Sequence, residues 1–114
     1  MTHWNTDAVV SALQKVFPKY KVIKGEAGGD VDTENIQVEI SKKDRRFLCI
    51  AGFKTDGYYG DNRSDVEVEM VELTDHVGEG CQSDDPEEIR AYGEAMIVLR
   101  GMGFQVVPYM KNYF

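Results

Sequence analysis

A chain of 114 residues, with 42% hydrophobic and 29% charged side chains, is one domain's worth of ordinary globular sequence, and no stretch approaches the roughly 20 apolar residues that a membrane span needs. Its formal charge of −7 is unevenly spread: residues 56–89 carry twelve acids against Arg63 alone, and the flanking segments are slightly basic. Affinity for a phosphate backbone needs clustered cations, so direct nucleic-acid binding is excluded as the default; "PKYKVIK" and "SKKDRR" are short and flanked by acids.

The opening "MTHWNTDAVV" has no basic segment followed by an apolar one, so it does not read as a secretory signal. Cys49 lies in an apolar run and Cys81 in a polar turn, with nothing to pair them, so a reducing, cytoplasmic compartment is expected.

In chain order, the spacing of Val9, Val10, Leu13, Val16 and Phe17 predicts a helix from Thr6 to Phe17, capped by Asn5 or Thr6 and stopped by Pro18. A strand near Tyr20 to Lys24 ends at "GEAGGD". The segment "NIQVEIS" alternates, with Ile36, Val38 and Ile40 inward and Gln37 and Glu39 outward. After the turn "KKDR", the run "RFLCIAGF" is apolar on both faces, which predicts a central strand with Cys49 as a buried small hydrophobe.

The loop "FKTDGYYGDNRSD" precedes "SDVEVEMVEL", where Val66, Val68 and Met70 oppose Glu67 and Glu69. The phase then slips, because Val71 and Leu73 fall on the polar side, and a bulge near Met70 would repair it. A second helix begins with Asp85 as cap, Pro86 at the first position and Glu88 closing a capping box. Its expected buried stripe is Ile89, Tyr92, Met96 and Leu99, and Gly101 or Gly103 ends it. The last strand, "FQVVPYM", contains Pro108, which cannot donate to a ladder, so it belongs at an edge where two copies could pair as a homodimer. The expectation is a single α+β domain over residues 1–114: a mainly antiparallel sheet of four or five strands packed by two helices, in the order α-β-β-β-β-α-β.

Tests of the polar clusters against known chemistries mostly fail. Counting from Asp56, Tyr58 and Gly60 occupy calcium-ligand positions; counting from Asp30, Asn35 replaces the loop glycine and Ser41 the bidentate Glu. "GEAGGD" lacks the Lys-Ser/Thr of a phosphate loop, and His3, His76, Cys49 and Cys81 are too scattered to suggest zinc. His76 beside Asp75 and five residues before Cys81 could form a Cys-His pair, but a polar loop is the simpler reading. No catalytic residue, metal or cofactor is assigned.

What survives is a surface. Glu67 and Glu69 project from one side of a strand, and side-by-side placement with Glu39 would cost stability. Tyr58 and Tyr59 precede them in a glycine-flanked loop, and exposed Tyr is favoured at interfaces. The expected partner-binding set is therefore Tyr58, Tyr59, Asp61, Asp65, Glu67, Glu69 and Glu72, facing a protein with a basic surface and no membrane. Size and charge resemble small mobile-element or phage-type inhibitors that act as nucleic-acid mimics. Two alternatives stand beside this: a small-molecule binder or small enzyme using the Asp56–Asp65 loop, and a dimeric chaperone-like or structural module.

Overall fold

The computed structural model describes residues 2–24, 37–43, 45–53, 65–76 and 80–108. The elements run β1 (Thr2–Asn5), α1 (Thr6–Val16), β2 (Lys21–Lys24), β3 (Gln37–Lys42), β4 (Arg45–Phe53), β5 (Asp65–Val68), β6 (Met70–Asp75), α2 (Pro86–Gly101) and β7 (Val106–Val107). Five strands pair in the order β2-β3-β4-β6-β7, antiparallel except for β6 with β7, and β1 pairs with β5 in a separate ribbon. The fold is α+β, with β4 central as its apolar run implies. No helix among the described residues is long and apolar enough to cross a membrane.

Strand alternation decides which side of the main sheet is dry. Val22, Ile40 and Leu48 form one cross-strand row, and Val38, Ile50 and Leu73 form the next. All six are buried in one cluster with Val9 and Leu13 of α1 and Ala95 and Leu99 of α2, so both helices cover the same face. The burial of each such side chain contributes about 1.5 to 3 kcal/mol. Glu39, Arg46, Cys49, Glu72 and Thr74 alternate onto the other face, where Arg46 pairs with Glu39 at 3.3 Å.

The two-faced apolarity of β4 has a local cause. The register shifts at Ile40/Ser41, leaving Phe47 as an extra residue opposite that step. A bulge of this kind lets two successive side chains share a face. Phe47 and Leu48 are both buried, and Phe47 meets Tyr20, which in turn meets Phe17 at the end of α1. Cys49 is half-buried on the opposite face rather than in the core.

The bulge expected near Met70 is instead a strand break. Glu69 lies outside both strands, so β5 ends in the ribbon and β6 begins in the main sheet. Neither half needs to keep the other's phase, and Val68, Val71 and Leu73 are all buried. The ribbon rests on the sheet at Gly52: an added Cβ there would lie 3.0 Å from Val68 and 3.3 Å from the Trp4 ring. Trp4, fully buried, also donates to Thr6 Oγ1 at 2.8 Å and packs on Phe104 at 5.5 Å. Sequence pattern missed β1 because four residues built around one Trp show no periodicity.

Asn5 caps α1 by accepting from Ala8 N, and Asp85 caps α2 by accepting from Glu87 N. Gly103, at φ 94°, ends α2, with Gly103 N donating to Arg100 O and Phe104 N to Leu99 O. These are the two bonds of a Schellman close. The buried stripe of α2 is Glu88, Ala91, Tyr92, Ala95 and Leu99, with Met96 half-buried. Ile89 is 48% exposed, so the expected stripe was turned too far around the helix. The chain returns through α2 to lay β7 parallel to β6 at the sheet edge, where Pro108 follows it. That strand is two residues long because Phe104 turns into the core beside Trp4.

Candidate functional site

Of the residues expected to meet a partner, Tyr58, Tyr59 and Asp61 lie outside the described residues, as do the calcium starting points Asp30 and Asp56 and the phosphate candidate "GEAGGD". Asp65 opens β5 opposite Asn5. Glu67 sits exposed opposite His3, with its carboxylate 3.0 Å from His3 Nδ1. Glu69 occupies the bend, and Glu72 lies on the outer face of the main sheet. The strand break therefore distributes these acids over the ribbon and the sheet instead of lining them along one strand. Glu39 is on β3 of the main sheet, whereas Glu67 is on β5 of the separate ribbon and Glu69 lies outside both strands, so the expected side-by-side repulsion along neighbouring strands does not arise.

Four other acids of the block, Asp75, Asp85, Glu87 and Glu88, fold into a polar cluster at the start of α2. Glu88 is fully buried, yet both of its oxygens are filled. Oε1 accepts from the His76 backbone N–H at 3.1 Å and from His76 Nδ1; Oε2 accepts from Arg45 at 2.8 Å and Ser83 Oγ at 3.0 Å. Asp75, also buried, accepts from the Gln82 and Ser83 backbone N–H groups at 2.6 and 2.7 Å. Beside it, Glu87 accepts from Tyr20 at 2.6 Å and from Lys42 at 3.0 Å, and Arg45 also reaches Asp85 at 3.4 Å. The β3–β4 hairpin thus clasps the start of α2 with Lys42 and Arg45.

Charge states follow from this geometry. Burial pushes the Glu88 carboxyl up, but hydrogen bonds from His76 and Ser83 outweigh it and hold the group below its ordinary value. The Tyr20 and Lys42 hydrogen bonds lower Glu87 in the same way. Tyr20 is pushed up to about 12, chiefly by burial and then by its bond to Glu87. Burial, then the Asp75 and Glu88 charges, raises the Cys81 thiol.

Sequence reasoning gave Glu88 a capping role, which the structure replaces: Asp85 N donates to Ser83 Oγ, and Glu88 turns inward. The missed signal was phase. Glu88 is in register with Tyr92, Ala95 and Leu99, and a carboxylate on an apolar stripe requires a partner from elsewhere.

A carboxylate only accepts, so His76 Nδ1 carries the proton and Nε2 is left as the ring's other site. Such an oriented imidazole can serve as a general base or metal ligand, and Asp75, His76 and Glu88 bring ligand atoms within 4.8 Å of one another. Two facts count against using it so. A cation there would sit beside the Arg45 guanidinium already bound to Glu88, and the nearby Cys81 is held as a thiol, the opposite of what a nucleophilic cysteine needs. The cluster reads most simply as a clasp. Comparison of the chain with family models, curated proteins and solved structures gives no match.

Proposed function

We propose that this protein is a non-enzymatic protein-binding module whose acidic β5–β6 segment meets a basic surface on another protein, in the manner of an inhibitor occupying a nucleic-acid-binding groove. One observation carries the reading. Asp65 to Glu72 contains four acids and no Lys or Arg, and Lys42 and Arg45 of the β3–β4 hairpin are committed to the first turn of α2. Glu67 meets His3, which is a counter-charge only when protonated. Such a segment steers a cationic partner, since complementary charge acts mainly on encounter. Two free cysteines, one of them exposed, support placing the protein in the reducing cytoplasm.

The test is paired capture. Wild type and the Glu67→Lys, Glu69→Lys, Glu72→Lys triple variant are immobilised side by side and exposed to extract of the native host, with melting curves checking that both are folded. A protein with a basic surface should be retained by wild type and lost by the variant. Equal retention by both, or none by either, would overturn the proposal.

A further inference from the structure

Ile97, at 73%, and Ile89 are the two most exposed large apolar side chains among the described residues. Both lie on α2 away from its buried stripe, eight residues apart, with Gly93 midway between them. A mid-helix glycine weakens a helix relative to alanine. The fold gives no reason for this one: an added Cβ would meet nothing within 4 Å, and its φ is not positive. What Gly93 does provide is a flat place where another backbone can approach closely.

The pattern around it is symmetric. Ile89 and Ile97 are four residues on either side of Gly93, so a second α2 crossing antiparallel about a two-fold axis there puts Ile89 of each copy against Ile97 of the other. Arg90 and Glu94 share one flank of the helix, one turn apart, and among the described residues neither forms an ion pair. A two-fold axis perpendicular to the helices brings like flanks together, which sets Arg90 of each copy beside Glu94 of the other. A parallel pairing, whose two-fold runs along the helices, would instead put these flanks on opposite sides of the contact and leave the pairs unmade. Apolar positions placed symmetrically about one glycine are what self-pairing demands and what an unrelated partner does not.

We infer that α2 is a homodimerisation surface, pairing two copies antiparallel with the crossing point at Gly93. This contact is separate from the acidic β5–β6 segment, and it makes α2 rather than the β7 edge the place where copies meet. A single helix crossing falls at the low end of specific interfaces, on the order of 1,000 Å² in total, so the dimer forms at high protein concentration.

Sedimentation equilibrium over a concentration series tests this. Wild type should show a monomer–dimer equilibrium, and Ile97→Glu and Gly93→Leu should each weaken it by roughly tenfold or more while leaving a folded monomer by melting curve. Arg90→Glu alone should weaken the dimer, and combining it with Glu94→Arg should restore it, because the swap rebuilds both reciprocal pairs. A wild type that stays monomeric throughout, a dimer indifferent to Ile97→Glu or Gly93→Leu, or a double swap that fails to restore association would each overturn the inference.

Discussion

Glu88 shows how a single buried charge can fix the join between a helix and a sheet. Four donors from three segments converge on it, so truncation to Ala strands donors that the fold has already paid to desolvate. A buried ion pair broken on one side costs about 3 to 5 kcal/mol, but Arg45 and His76 are half exposed and can turn to water. Glu88→Ala should therefore cost about 2 to 4 kcal/mol by chemical denaturation. The pH dependence has a definite sign. Because the folded carboxyl titrates below its ordinary 4.5, its contribution is complete above that value and is lost as pH falls through the lower folded one. Glu88→Gln should flatten that part of the acid limb; an unchanged limb would mean that the carboxylate is not held by these bonds. Gly52 is the second decisive residue. Gly52→Ala drives a methyl against Val68 and Trp4, and about 1 to 3 kcal/mol should be lost, with the near-ultraviolet signal of Trp4 altered.

Among the elements, α2 separates what pattern can reveal from what it cannot. Its existence, its cap at Asp85, Pro86 at the first position and its glycine close were readable, because each is a local requirement of a helix end. Its rotation was not. Ile89 looks like core and Glu88 like surface until Arg45 and His76, more than ten residues away along the chain, are brought beside them. Leu99→Ala should cost roughly 2 to 5 kcal/mol, whereas Ile89→Ala should stay within about 0.5 kcal/mol in the monomer. Equal losses at both positions would restore the stripe expected from sequence. The acidic strand teaches the same lesson. Alternation in "DVEVEMVEL" was correctly seen to fail, but a bulge and a change of sheet give the same local signature, and only β1 pairing with β5 distinguishes them. Of the candidate partner surface, the sequence displayed the excess of acid; it could not show that four of those twelve acids close the start of α2.

At the scale of the whole molecule, charge is sorted. Lys42 and Arg45 are drawn to Asp85, Glu87 and Glu88, while the segment from Asp65 to Glu72 has no cation of its own. We propose that this imbalance exists to meet a basic protein. The most direct test is the association rate with the captured partner, measured against ionic strength for wild type and for Glu67→Lys combined with Glu72→Lys. Steering by complementary charge predicts a wild-type rate that falls steeply as salt rises, and a variant that associates more slowly with a flatter salt dependence and little change in dissociation rate. Identical rates and salt slopes for the two proteins would contradict the claim and leave the acidic strands as a device for solubility.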